Sequence, residues 1–267
     1  MKLTVLMDNY TYIGKYYLGE PGLCYLIEDE GEKLLLDTGY SNAYLKNAKD
    51  MGIDLREVDK LIISHGHNDH TGGLPYFPFE DRKRTLIAHP DVFTERRKNG
   101  RNLSCPLNRE EVEERFDLLL SDKPIKVSKN ITFLGSVPRF NDFENNIPVG
   151  EYFDGEGWEK DFIKDDSSLV YEKDDGIYII TACSHSGICN IISYAKKVTG
   201  CDNVKGLIGG FHLLIDKDDS FRKTAEFLKE QNIPELYPCH CTSLKAKMTV
   251  NEYAPIKEAG VGLVVEW

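Results

Sequence analysis

At 267 residues the chain is long enough for one large domain or two small ones, and its composition is that of a globular protein. Forty-four acidic residues against thirty-three basic ones give a net charge of −11, which works against a polyanion as partner unless positive charge is gathered in one patch. Arg82-Lys83-Arg84 and Arg96-Arg97-Lys98 are the only such clusters and have the look of solvated turns or helix ends, so no nucleic acid is expected.

Residues 1–7 form a first strand by pattern, because Asp8 and Asn9 cut the apolar run short of a signal peptide. No span approaches a transmembrane helix. Seven scattered cysteines fit free thiols in a reducing compartment, so the expected location is the cytoplasm with no membrane partner. Residues 23–28 and 33–37 flank Asp29-Glu30-Gly31-Glu32 as the arms of a hairpin. A helix follows, capped by Ser41 or Asn42 and stopped at Gly52. The next apolar run, Leu61-Ile62-Ile63, is a short buried strand, which completes the strand, helix, strand order of an α/β layer.

That strand delivers Ser64-His65-Gly66-His67-Asn68-Asp69-His70-Thr71-Gly72-Gly73, with three histidines and an aspartate between positions 65 and 70. Glycines at 66, 72 and 73 let the backbone turn tightly as it leaves the sheet. From alternate positions of an extended segment His65 and His67 can share one ion, while Asp69 and His70 start the following turn and can face a second. Zinc takes such a mixture of imidazole and carboxylate, with manganese and iron as alternatives. Asp37 closes the preceding strand, either as a turn residue or as the acceptor for the second N–H of a ligating imidazole.

Residues 85–88 are strand-like and end at His89 before Pro90, a position that is either structural or on the rim of the site. The charged segment 91–122 has a helical pattern and suggests an inserted helical segment over the mouth of the site, or a plain surface helix. After a strand at 131–135, Arg139 follows a proline and either anchors a substrate carboxylate or phosphate or pairs with Glu144. Residues 168–172 and 177–181 form a second hairpin whose open ends carry Asp165-Asp166 and Cys183-Ser184-His185. Helices at 187–198 and 220–231 then alternate with strands that end at His212 and His240, at the edge where α/β proteins place their chemistry. Cys239-His240-Cys241 lacks a Cys-x-x-Cys partner, so a structural zinc finger is set aside. No repeat or linker marks a domain boundary.

His-x-His-x-Asp-His after a strand and before Thr-Gly-Gly resembles the metallo-β-lactamase superfamily, and the resemblance runs from Leu23 to about His240. Cys-Ser-His-Ser-Gly-Ile at 183–188, Gly-Gly-Phe-His-Leu at 209–213, Pro-Cys-His-Cys-Thr at 238–242 and Pro138-Arg139 are similar to one branch of it. That branch comprises the metal-dependent hydrolases named after the archaeal 7,8-dihydropterin-6-yl-methyl-4-(β-D-ribofuranosyl)aminobenzene-5'-phosphate synthase. The resemblance implies an α/β (α+β) four-layer αβ/βα sandwich, in one domain over 1–267 made of two similar halves, with the helical insertion near 91–122. It implies one or two divalent ions on His65, His67, Asp69, His70, His185 and His240. Asp37, Asp166 and Cys183 would stand behind these ligands, Asp69 and His212 would act on the reaction, and Arg139 and His89 would meet the substrate. The superfamily brings a histidine on the first arm of the second hairpin and a bridging aspartate on the second arm. Here Asp165 and Asp166 take the first place, and Cys183 followed by His185 takes the second. The implied activity is hydrolysis of an ester, phosphoester or lactone-like bond in a small anionic metabolite. Pterin-arylamine transfer and a non-catalytic metal or ligand sensor are the alternatives, and the oligomeric state is left open.

Overall fold

The computed structural model describes residues 1–79, 82–144 and 147–267. In chain order the first strands are β1 (Lys2–Met7), β2 (Cys24–Asp29), β3 (Glu32–Leu36), β4 (Lys60–Ile62), β5 (Arg84–Ala88), β6 (Arg96–Lys98), β7 (Arg101–Asn102) and β8 (Phe116–Leu120). Then come β9 (Ile125–Lys126), β10 (Ile131–Phe133), β11 (Gly150–Phe153), β12 (Trp158–Asp161), β13 (Leu169–Lys173), β14 (Gly176–Ile180), β15 (Val204–Gly210), β16 (Glu235–Cys239) and β17 (Val264–Glu266). The α-helices are α1 (Ala43–Asp50), α2 (Asn68–Thr71), α3 (Arg109–Glu113), α4 (Ile188–Thr199), α5 (Ser220–Gln231) and α6 (Leu244–Tyr253).

The chain divides into two compact units, one of residues 1–122, 149–161 and 260–267 and the other of residues 123–148 and 162–259. In the first unit a seven-stranded sheet runs β17-β1-β2-β3-β4-β5-β8. Pairing is antiparallel from β17 to β3 and parallel from β3 to β8. Its buried face is read off every second residue: Cys24 and Leu26, Leu35, Leu61 and Ile63, Leu86 and Ala88. Tyr44 and Ala48 of α1 and Val112 of α3 pack in the same cluster. The hairpin β2-β3 turns through Glu30 and Gly31, both left-handed, where glycine carries no Cβ penalty. At the sheet margin β17 contributes three residues beside β1, and the Met1 ammonium donates to the Trp267 carbonyl at 2.8 Å.

The segment 91–122 differs from its helical pattern. It holds one five-residue α-helix, α3, among β6, β7 and β8. In β8 the exposure alternates from Phe116 to Leu120, and parallel pairing with β5 satisfies its backbone. The strands β6 and β7 join β11 and β12 in a four-stranded antiparallel sheet. The two basic clusters also dissolve. Arg84 is buried and donates to the carbonyls of Val58, Arg82 and Arg56, while buried Arg96 pairs with Asp161 at 2.9 Å.

The second unit carries a six-stranded sheet in the order β16-β15-β14-β13-β10-β9. The hairpin β13-β14 is antiparallel, and β14, β15 and β16 run parallel. In α4 the buried Ile188, Ile191, Ile192 and Ala195 lie at i, i+3, i+4 and i+7, one face of the helix, against Val170, Ile179, Leu207 and Leu236 of the sheet. Burying each large aliphatic side chain contributes about 1.5–3 kcal/mol, which outweighs the marginal intrinsic stability of a twelve-residue helix. Gly200, at φ +70, ends α4 in the left-handed turn that favours glycine. Phe221, Ala225 and Leu228 of α5 and Ala246 and Val250 of α6 belong to the same core. No helix among the described residues is long and apolar enough to cross a membrane.

Candidate metal centre

In the first unit the motif leaves β4 through bends at Ser64 and Gly66, and His67, itself extended, is the N-terminal flanking residue of the short helix α2. Two bends followed at once by a helical turn bring His65, His67, Asp69 and His70 close together. The turn is fastened by backbone bonds: His70 O accepts from Thr38 N at 2.8 Å and from Thr38 Oγ1 at 3.0 Å, and Asp69 O accepts from Leu23 N at 3.3 Å. Gly66 is required by space, since a Cβ there would lie 2.1 Å from the Val92 carbonyl oxygen.

Asp37 sits in the left-handed region at φ 58 and is fully buried. Its Oδ1 accepts from Ser64 N at 2.8 Å, and its Oδ2 accepts from Ser64 Oγ at 2.7 Å and from His70 Nδ1 at 2.7 Å. These bonds fix proton positions. His70 Nδ1 carries its proton towards the carboxylate, which leaves a lone pair on Nε2. The Ser64 hydroxyl spends its single proton on Asp37, so at the 2.9 Å contact with His65 Nδ1 the histidine donates, and His65 Nε2 also presents a lone pair.

His65 Nε2 lies 3.1 Å from His67 Nδ1, and the His65 and His70 rings are 4.3 Å apart. Two nitrogens that share a tetrahedral ion at ~2.0–2.1 Å stand roughly 3.3 Å apart, so this pair fits a divalent metal. Asp69 Oδ2 is 3.7 Å from His70 Nε2 and adds a carboxylate to the donor set. His89 in this unit is buried, and its Nδ1 accepts from Asp91 N at 3.1 Å, so that nitrogen caps its own turn.

The second unit presents donors at three neighbouring strand ends. Beyond β14, β15 and β16 the chain places Ser184, His212 and His240 in the left-handed region, at φ 54, 50 and 45. Non-glycine residues held there store strain of about 1–3 kcal/mol each, and such strain clusters at functional sites. The surrounding bonds over-determine these turns. Ser184 Oγ donates to Gly210 O at 2.6 Å and meets Thr181 Oγ1 at 2.9 Å, and Phe211 N donates to Thr242 Oγ1 at 3.0 Å. Ring nitrogens of His185 and His212 and the Cys183 sulfur lie within 4.8 Å of one another. His212 Nδ1 is buried with no hydrogen-bond partner among the described residues, which suits a ligand atom.

Glu144 and Asp166 hold the loop that bears His185. Buried Glu144 accepts from Cys189 N at 2.9 Å and Asn190 N at 3.2 Å in the first turn of α4, and from Asn141 Nδ2 at 2.9 Å. Arg139 instead donates to the Phe162 carbonyl at 2.7 Å. Asp166 Oδ2 accepts from Ser186 N at 2.8 Å, while its buried Oδ1 has no partner among the described residues. Burial pushes the Asp166 carboxyl up to about 6 from its ordinary 3.8, against the bonds from Ser186 and His185 that favour the charged form.

The raised value predicts a pH dependence. The folded metal-free protein holds the Asp166 proton more tightly than the unfolded chain does, so this group's contribution is complete below about pH 4 and is lost as the pH rises through about 6. The displacement corresponds to roughly 3 kcal/mol at most. Asp166→Asn is expected to remove that decline, so in urea denaturation the metal-free variant gains on the wild type between pH 4 and 7. Parallel stability curves would contradict it.

The roles of Ser64, Ser184, Glu144 and Cys241 escape sequence reading, which offered Glu144 only as a partner for Arg139, because each acts through a partner that only the fold brings close. Burial raises the Cys241 thiol, but hydrogen bonds with Cys183 and His212 and the charges of His240 and His212 prevail and hold it well below its ordinary value.

Residues 17–196 match the sequence model of the metallo-β-lactamase superfamily, and the chain belongs to that superfamily. The uncharacterized protein MJ0448 of Methanocaldococcus jannaschii is 30% identical over 268 residues, covering 98% of this chain and 99% of that one. The 7,8-dihydropterin-6-methyl-4-(β-D-ribofuranosyl)-aminobenzene-5'-phosphate synthase of the same organism is 30% identical over 263 residues, 92% of this chain and 89% of the relative. Among solved structures, Tm1679, described as a metal-dependent hydrolase of the β-lactamase superfamily, superposes with a TM-score of 0.87 at 28% identity, over 100% of this chain and 99% of that one. The mixed α/β architecture with several sheets is that of the metallo-β-lactamase fold.

Proposed function

We propose that the protein is a metal-dependent hydrolase of an ester, phosphoester or lactone-like bond in a small anionic metabolite. One or two divalent ions, zinc before manganese or iron, would be held by His65, His67, Asp69 and His70 together with His185 and His240. The observation that carries this reading is the Asp37-Ser64 arrangement, which spends imidazole protons so that His65 and His70 present lone pairs beside His67. A bound divalent ion supplies a water acidified towards neutral pH and polarises the bond to be broken. Asp37 orients His70, Asp69 takes the proton of the attacking water and returns it to the leaving group, and His212 faces the substrate. Arg139 and His89 are the proposed substrate contacts, with Asp166 and Cys183 behind the ligands.

A second reading, pterin-arylamine transfer, is favoured by the 30% identity to the M. jannaschii synthase over 92% of this chain. One experiment separates the two. The metal-loaded protein is screened against ester, phosphoester and lactone metabolites, and in parallel incubated with a pterin pyrophosphate and an arylamine. Hydrolysis without coupling supports the first reading. Coupled product with no hydrolysis of the panel overturns it in favour of the second.

A further inference from the structure

The four-stranded sheet of the first unit holds both chain neighbours of His67. Gly66 meets Arg96 of β6, since an added Cβ there would stand 2.4 Å from Arg96 Nη1. Asn68 meets the chain where β7 ends: its N donates to Leu103 O at 2.9 Å and its Nδ2 donates to Asn102 O at 3.1 Å. The guanidinium behind Gly66 is itself fixed. Arg96 is buried, its Nε donates to Asp161 Oδ2 of β12 at 2.9 Å, and its Nη2 donates to the Asp91 carbonyl at 3.3 Å. Leu103 N donates to Arg96 O at 2.9 Å, so the β6-β7 hairpin closes on the residue that bears the guanidinium. Asp161 is buried as well, and an ion pair so enclosed needs both partners, because removing either leaves a charge without water.

We propose that Arg96, locked by Asp161, is a positioning residue that with the β6-β7 hairpin sets where His67 stands in the donor set. The inference rests on the metal reading of the histidines and adds a cause for the place of one of them. A ligand atom must lie within ~0.2 Å of its proper distance from an ion, a tolerance that a loop meets when its backbone is held on both sides. His67 Nδ1, 3.1 Å from His65 Nε2, ends such a held loop. The planar guanidinium suits the task, because Nε pairs with Asp161 while Nη1 faces Gly66, a division that a single ammonium cannot make. Gly66 belongs to the same device, since only a residue without a Cβ lets the motif's backbone come so close. Arg97, next along β6, points the opposite way, where it pairs with Glu151 at 2.8 Å and lies over the Trp158 ring. The sequence hides the lock, as Arg96 and Asp161 are 65 positions apart.

The test titrates the full chain, stripped of metal, with cobalt(II) and reads both the affinity and the visible d–d bands, which report coordination geometry. Arg96→Lys keeps a charge for Asp161 but loses the planar fork. It is expected to bind cobalt about tenfold more weakly, with shifted bands, as changes behind a metal ligand typically do. Arg97→Lys is the control and is expected to match the wild type. Asn68→Ala, which removes the side-chain bond to Asn102, is expected to lose about threefold in affinity. It keeps the test open should Arg96→Lys misfold, and wild-type affinity and bands in Asn68→Ala would then overturn the proposal. Urea denaturation of the metal-free variants separates positioning from a merely structural role. Unchanged affinity or unmoved bands in folded Arg96→Lys overturn the proposal, whatever its loss in stability. Wild-type protein that binds no cobalt sinks the metal reading and the positioning role with it, whereas tight binding untouched by Arg96→Lys sinks the positioning role alone.

Discussion

Asp69→Asn is expected to lower kcat about a hundredfold or more on any ester or phosphoester the protein turns over, with KM changed little. The side chain is partly exposed at the head of α2, 3.7 Å from His70 Nε2, so it can reach a water as well as an ion. Asparagine keeps the size and one carbonyl ligand oxygen but cannot take a proton, and positioned acid–base groups contribute typically 10²–10⁴-fold. A loss shared equally by kcat and kcat/KM marks an interaction made in the transition state. Steady-state kinetics on variant protein of matched metal content decides, and unchanged turnover at full metal content would remove Asp69 from the chemistry.

Gly73→Ala is expected to destabilise the fold by about 4 kcal/mol or more, or to prevent soluble expression. A Cβ at Gly73 would lie 2.1 Å from the Thr38 carbonyl oxygen and 2.8 Å from that of Ser41, with the Tyr44 ring 2.7 Å away. Two of the three are backbone oxygens and the third belongs to the buried Tyr44 ring, so no flexible side-chain end can swing aside. Relief requires moving the turn after α2 away from the end of β3, and that shift pulls His70 from Asp37. Gly157→Ala is the control, since nothing lies within 4 Å of the added atom, and it is expected to change stability by no more than about 0.5 kcal/mol. Urea denaturation of both variants provides the comparison, and near-equal midpoints would refute the packing argument.

Where local chemistry and burial point the same way, the structure was legible in the residues. The apolar runs of β2, β3, β13 and β14 with Gly31 and Gly176 at their turns form hairpins, and the 3–4 spacing in 188–195 forms α4. The segment 91–122 was not legible, because its charges mimic a solvated helix while cross-strand pairing decides its conformation. Buried Arg96 shows why: a basic cluster is surface only until a distant carboxylate, here Asp161, offers a partner. At the candidate site the donor types stood out as a motif. The left-handed turns at Asp37, Ser184, His212 and His240 did not, since nothing in the residue type announces positive φ. The same holds for Glu144, whose role as the cap of α4 depends on a contact 45 positions along the chain.

Elemental analysis of the purified protein tests the central claim most directly. At least one and up to two divalent ions per chain are expected on the histidine and aspartate donors, and one to two is the stoichiometry of sites built this way. His67→Ala and His240→Ala should each lower the occupancy relative to wild type. Protein that carries no metal and rebinds neither zinc, manganese nor iron, or that keeps full occupancy in His67→Ala, would contradict the account.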